Sequence, residues 1–257
     1  MLSYPPGVGL RYSPASIPRE PPLSGVVLSY IHPTPLSTPT PFDDTDDMGI
    51  HPVILIGAGG HATVVAQCAQ LTDTPILGVY DDDPNARLLS RPEAPQHLGS
   101  IADFVNTQPE HWILALGNLE TRRAILDQGA QRAAPPLIHP SATVAPDAEI
   151  SEGVYIGPGA IIHASARIKA HAIINSGAII EHDCTIDTNT HVAPGAVLCG
   201  HVTVGPHTLV GTNATVIPEI TIGSHTTIGA GSTVVDNVPD NTTAVGSPAR
   251  ILGTTTF

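Results

Sequence analysis

The sequence predicts a Rossmann-like βαβαβ unit followed by a parallel β-helix, an expectation carried by three observations. Between residues 52 and 136, short aliphatic runs alternate with stretches of helical spacing, and glycines stand at the strand ends. From residue 138 to residue 234, an aliphatic side chain recurs at every sixth position. Finally, 24 glycines and 26 prolines accompany only 4% aromatic and 13% charged residues, which favours a turn-dense β architecture with an aliphatic core over salt-bridged helices.

In chain order, residues 1–47 carry ten prolines and close on Asp43-Asp44 and Asp46-Asp47. Such a composition buries too little apolar surface to offset its ordering entropy, so the segment reads as a disordered tail. Met48 directly precedes the first strong strand and reads as the natural start of the chain. Residues 48–136 form the α/β unit. Val53–Ile56 is a short buried strand, Gly57-Ala58-Gly59-Gly60-His61-Ala62 a tight turn, and Thr63–Leu71 a helix. Ile76–Tyr80 is a second strand ending in Asp81-Asp82-Asp83; Trp112–Leu116 is a third, followed by Gly117-Asn118 and a helix through Gln128. The turn satisfies G-x-G-x-x-A and Asp81 follows about 20 residues on, a dinucleotide-binding pattern. Only one half of a doubly wound fold is present, which argues against a complete NAD site.

Residues 137–238 change period. Ile138, Val144, Ile150 and so on to Val234 make seventeen aliphatic positions without a miss, and small residues dominate four places after each. Neither a helix nor an amphipathic strand produces a period of six. A prism does: one aliphatic per hexad points to the axis, three hexads complete a coil of about 18 residues, and coils stack at roughly 4.8 Å. Residues 239–257 read as a C-terminal tail.

The formal charge of −13, with Lys169 the only lysine, excludes the cationic grooves that nucleic acids and acidic membrane surfaces need. Backbone N–H groups still allow a small anionic ligand. Cys68, Cys184 and Cys199 have no CxxC spacing, so neither a zinc knuckle nor a disulfide framework is expected, and the reducing cytoplasm is the simplest compartment. No apolar run of about 18 residues is present to cross a bilayer.

The hexad pattern resembles that of the hexapeptide-repeat acyltransferases, and the resemblance implies a left-handed parallel β-helix. The combination of GAGGHA, the Leu114-Ala115-Leu116-Gly117-Asn118 segment, Glu181-His182-Asp183-Cys184 and Val245-Gly246-Ser247-Pro248-Ala249-Arg250 is similar to the sialic acid O-acetyltransferase (NeuD) family, which includes bacterial UDP-4-amino-sugar N-acetyltransferases. That resemblance implies acetyl-CoA-dependent acetylation of the 4-amino group of a UDP-linked amino-dideoxy sugar for surface glycan synthesis. It further implies direct attack without an acyl-enzyme, no metal, and a homotrimer with acetyl-CoA between neighbouring β-helices. Carried over, His182 is the general base and Asp183 its partner, with Glu181 a second candidate acid. The Gly200 N–H would bind the acetyl carbonyl, Asn175 and His191 would line the sugar and thioester region, and Ala230, Pro248 and Arg250 would contact the coenzyme. Gly57, Gly59, Gly60, His61 and Asp81 would hold the nucleotide, with Asn118 also binding substrate.

The residue types suit that chemistry, since an imidazole titrates near neutral pH and a carboxylate fixes its tautomer. His182 and Asp183 are neighbours in sequence, so they can meet only where the chain turns; two places after Ile180 a coil corner is expected. Gly200, eighteen residues later, would stand one coil above His182. His171, His207 and His225 share one hexad place and read as an exterior column, while Cys184 fills an inward slot and is not a nucleophile. Three rivals remain: an O-acetyltransferase of sialic acid or a related sugar, a non-catalytic nucleotide-sugar-binding scaffold, and a metal-dependent hydratase ligated by His182, His191 and His201. The last is disfavoured because those histidines occupy different hexad places.

Overall fold

The computed structural model describes residues 51–129 and 133–254; the proline-rich segment read as a tail lies outside the described residues. The α/β unit contains β1 (Val53–Ile56), α1 (Gly60–Leu71), β2 (Ile76–Tyr80), β3 (His97–Gly99), α2 (Ile101–Thr107), β4 (Trp112–Leu114) and α3 (Leu119–Leu126). Its sheet is wholly parallel in the order β3-β2-β1-β4. All four residues of β1 are buried because this central strand is covered on both faces. Val53 and Leu55 pack towards α1 and the solenoid, while Ile54 and Ile56 pack with Tyr80, Phe104 and Trp112 on the other side. The sequence reading lacked β3 and α2. A three-residue strand leaves almost no periodic signal, but α2 does carry one: Ser100 and Asp103 form a capping box, with Asp103 N donating to Ser100 Oγ at 3.2 Å and Ser100 N donating to Asp103 Oδ2 at 2.8 Å.

Beyond Ala133 the chain becomes a triangular solenoid. Seventeen two-residue strands, β5 (Leu137–Ile138) to β21 (Thr233–Val234), recur every six residues, and each ends on the aliphatic of its hexad. Each pairs in parallel with the strand eighteen residues on, as Ile179–Ile180 does with Val197–Leu198. This produces three flat faces. Face one carries the strands that start at Leu137, Tyr155, Ile173, His191, Leu209 and Thr227; face two includes Ile161, Ile179 and Val197; face three includes Arg167, Thr185 and Thr203. The inward aliphatics stack coil on coil and, from Ile156 to Val234, are fully buried, each stabilising the fold by about 1.5–3 kcal/mol. Where the slot four places on holds a hydroxyl, it donates to a carbonyl of the next coil: Thr190 to Gly205 O and Thr208 to Gly223 O, both at 2.8 Å.

The corners have a backbone rule of their own. Every sixth residue from Gly153 to Gly231 has positive φ, between 52° and 69°, so glycine or a short polar residue that tolerates the left-handed region recurs there. His171, Asn189, His207 and His225 occupy this place at the vertex between faces three and one. The expected exterior column is thereby corrected, because this vertex packs against the α/β unit. His171 is only 8% exposed and stacks on Trp112 with ring centroids 5.1 Å apart. Burial, with the nearby Arg122 charge, pushes its pKa down to about 4.

Arg122 is the pin between the two parts. It is 1% exposed. It donates to Asn189 Oδ1 (2.7 Å), Leu114 O (2.8 Å), Leu116 O (3.1 Å) and the carbonyl of His171. Desolvation lowers even this guanidinium to about 9. Asn189 answers by donating to Leu119 O at 3.3 Å, so the Gly117-Asn118 loop is fastened to the solenoid from both sides.

Within the segment read as a C-terminal tail, residues 242–254 form a hairpin. β22 (Thr242–Val245) continues face one by pairing with Thr227–Ile228, and β23 (Arg250–Thr254) folds back antiparallel on it, across a turn containing the cis Ser247–Pro248 bond. No helix among the described residues is long and apolar enough to cross a membrane.

Candidate active site

The expected corner is present. Residues 181–184 link face two to face three; His182 and Asp183 form the turn, and Asp183 takes φ 60°. The left-handed residue swings the carboxylate back beside its neighbour, and His182 Nδ1 lies 2.8 Å from Asp183 Oδ2. That hydrogen bond holds the Asp183 carboxyl below the usual carboxylate range, helped by the positive charge available on His201, His182 and Arg167. Glu181, the second candidate acid, is turned away and faces His163 Nε2 at 3.7 Å. Cys184 is fully buried; burial pushes its thiol up to about 11, and its Sγ donates to Cys199 O at 3.1 Å, the chemistry of a core residue rather than of a nucleophile.

One coil on, Gly200 lies directly against the imidazole. A Cβ at this position would stand 2.7 Å from both Cε1 and Nε2 of His182, so only glycine leaves the ring its place. Gly200 also occupies the turn position that Pro158, Pro194, Pro206 and Pro218 fill in other hexads. A place that accepts proline needs no N–H for the ladder, and the Gly200 N–H meets no acceptor among the described residues.

A second group of predicted residues gathers elsewhere. A groove of about 810 Å³ runs between the Gly117-Asn118 loop and face one, with His191, Pro194, Gly211 and Ala230 in its wall. Asn175 Nδ2 lies 3.0 Å from His191 Nε2. His61, in the first turn of α1, sets its ring edge-on to Tyr155 (5.5 Å) and 6.5 Å from His191. Desolvation, then the Arg122 charge, lowers His61 to about 4; His191 falls to about 3 through burial, then His61 and Arg122. Both are neutral rings, and His61 Nε2 is buried without a hydrogen-bond partner among the described residues.

The residues of the Gly-rich turn, expected to hold a nucleotide, are organised for a different reason at each position. Gly57 has φ 102°, and a Cβ there would meet Leu116 Cδ2 at 2.5 Å. Gly59 caps α1 without a side-chain acceptor, and Gly60 opens the helix. Asp81 is committed to backbone, accepting from Ala58 N at 2.6 Å and Asp83 N at 2.8 Å; it braces the turn. Asn118 is the N-cap of α3, its Oδ1 accepting from Thr121 N at 2.9 Å, and is exposed in the groove wall. Pro248 and Arg250 sit on the terminal hairpin and do not line this groove; Arg250 Nη1 donates to Ala249 O at 2.8 Å.

Within one chain, then, the predicted residues fall into two sets at different vertices. His182, Asp183 and Gly200 stand between faces two and three, whereas Asn175, His191 and Ala230 stand on face one and its vertex with face two. The metal trio is divided in the same way: His191 is on another face, while His182, Asp183 and His201 lie together. Sequence reasoning missed Arg122 and Asn189, for which the one signal is an arginine on the helix that follows the Gly-Asn turn, and it gave His201 no partner in Asp183.

Residues 52–128 match the PglD N-terminal domain and residues 201–236 match the bacterial transferase hexapeptide (six repeats). Among solved structures, a variant of perosamine N-acetyltransferase from Caulobacter crescentus in complex with CoA and GDP-perosamine is 34% identical, with 80% of this chain and 98% of that one covered at a TM-score of 0.70. The acetyltransferase domain of PglB from Neisseria gonorrhoeae in complex with acetyl coenzyme A is 33% identical, covering 79% and 100% at 0.70. WeeI from Acinetobacter baumannii, at 24% identity, 79% and 100% coverage and a TM-score of 0.65, shares the fold. No curated protein sequence matches. With that identity extending over nearly the whole of a sugar N-acetyltransferase, the chain belongs to the NeuD/PglD family of hexapeptide-repeat acetyltransferases.

Proposed function

We propose that the protein transfers acetyl from acetyl-CoA to the 4-amino group of a UDP-linked amino-dideoxy sugar, with His182 as general base. The observation that carries this reading is the 2.8 Å contact of His182 Nδ1 with Asp183 Oδ2, in a chain similar to enzymes whose structures contain CoA, acetyl-CoA and a GDP-linked amino sugar. The hydrogen bond keeps the proton on Nδ1, so the Nε2 lone pair is left for the substrate. As the sugar amine attacks the thioester carbonyl carbon, its proton passes to Nε2. The carbonyl oxygen, gaining negative charge, takes the Gly200 N–H, an oxyanion donor with no competing acceptor among the described residues. The tetrahedral adduct collapses, the C–S bond breaks, and the proton on Nε2 goes to the leaving thiolate.

The nucleotide reads onto the GAGGHA turn, where the uncapped start of α1 presents N–H groups to phosphate. The sugar reads onto the groove beside His191, Asn175 and Asn118, and the coenzyme onto Ala230 with the Ser247–Arg250 hairpin. Because these groups and His182 occupy separate vertices of one prism, the complete site is read as forming between protomers of a homotrimer. His182→Ala should lower turnover by roughly 10²- to 10⁴-fold with the trimer intact. The assay follows CoA thiol release with UDP- and GDP-linked 4-amino sugars and, as the hydroxyl control, sialic acid. Near-native turnover of the variant would remove the base assignment, and a preference for the hydroxyl acceptor would remove the amine.

A further inference from the structure

His201 has no place in that mechanism, yet it sits at the left-handed corner one coil above Asp183. Its Nε2 lies 3.6 Å from Asp183 Oδ2, and its ring stands edge-on to His182 with centroids 5.3 Å apart. The carboxylate is thus shared by two imidazoles, one at 2.8 Å and one at 3.6 Å, and one ligand atom from each of His182, Asp183 and His201 lies within 4.8 Å of the others. Tetrahedral zinc with nitrogen and oxygen ligands at 2.0–2.2 Å separates them by about 3.4 Å, so small side-chain rotations close the set. Two imidazoles and one carboxylate suit Zn²⁺ and reject Mg²⁺, which takes oxygen ligands in an octahedron. Within the single chain 44–57% of each of the three side chains is exposed, so the chain's own fold leaves a fourth position open to water.

We propose that His182, Asp183 and His201 form a Zn²⁺ site whose occupation switches off acetyl transfer. The inhibition rests on His182 acting as the base; the binding does not. A zinc ion takes the Nδ1 lone pair, so the proton of the neutral ring moves from Nδ1 to Nε2. The nitrogen that would accept the amine proton then carries one already. No other atom changes and no redox partner is needed.

The test uses the full chain stripped with a chelator. Zn²⁺ is titrated calorimetrically, Co²⁺ is followed by its visible absorption, and acetyl transfer is measured in the same samples. Expected are one Zn²⁺ per chain, a tetrahedral Co²⁺ spectrum, and turnover that falls with Zn²⁺, returns with chelator and ignores Mg²⁺. His201→Asn keeps a residue that accepts left-handed φ. It should retain native turnover, bind Zn²⁺ at least about tenfold more weakly and escape inhibition. Absence of Zn²⁺ binding, or equal binding by His201→Asn and the native protein, overturns the site. Binding as described with undiminished transfer overturns the inhibition, and with it the role of His182 as base, while the metal site stands.

Discussion

Replacing Gly200 with alanine tests the proposed chemistry without touching the reacting groups. The added Cβ would stand 2.7 Å from Cε1 and Nε2 of His182 and 3.3 Å from Nδ1, and no backbone atom ranks among its nearest neighbours. Carbon atoms rest at about 3.5–4.0 Å, so the imidazole must withdraw by roughly 1 Å. The backbone is undisturbed because Gly200 does not have positive φ, and an off-rotamer histidine costs only about 0.5–1.5 kcal/mol. A displacement of about 1 Å at a reacting centre lowers turnover on the order of 10²-fold. The expected result is therefore a large loss in kcat, read as CoA thiol release, with a melting temperature within a few degrees of native. In the His182→Ala background the same substitution should cost much less, since the ring it displaces is gone. Native turnover in Gly200→Ala, at unchanged melting temperature, would refute both the placement of His182 and its role.

Three further outcomes follow from the geometry. Mixed trimers of His182→Ala and His191→Ala chains, each inactive alone, should regain about a quarter of native activity, because random assembly at equal amounts leaves that share of interfaces with both half-sites intact; no recovery would place the whole site on one chain. His61, His171 and His191 have pKa values lowered by burial to about 4, about 4 and about 3. Below the ordinary histidine value of about 6.5 the unfolded chain binds protons that the folded chain refuses. Stability should therefore fall between about pH 6.5 and pH 4, by up to ~1.4 kcal/mol per pH unit for each ring, and a flat calorimetric melting profile over that window would contradict their burial as neutral rings. Arg122→Met leaves Leu114 O, Leu116 O, His171 O and Asn189 Oδ1 without their donor, a loss of about 3 kcal/mol or more that denaturant titration would register.

The solenoid was legible because its rule is one-dimensional: a single inward aliphatic per hexad dictates the strand, the corner and the stacking partner. The same rule put His182 at a turn and Gly200 above it. It could not say which vertex faces the α/β unit, because faces are equivalent until something packs against one. Tyr155, Ile173 and Leu137 settle that by joining the α/β core, and His171 was accordingly misread as exterior. Asp81 was legible by its spacing as part of a dinucleotide-binding pattern, but not as the brace of the Gly-rich turn, where its carboxylate accepts from Ala58 N; spacing carries no information about which backbone amides compete for a side chain. Arg122 was invisible for a related reason. A charged residue on a short helix usually reads as solvated, and its burial follows from carbonyls brought together only by the fold.

The coil also limits how this protein's ancestors could lengthen or shorten. Its strands pair at a separation of eighteen residues, so an insertion of six before His182 would carry the imidazole round to the adjoining edge of the prism, relative to the coils and α/β unit that precede it. Gain or loss of a whole circuit preserves the bearing of the His182 corner and shifts its height by one strand spacing, about 4.8 Å. Relatives of different length should therefore differ, upstream of this histidine, by complete circuits.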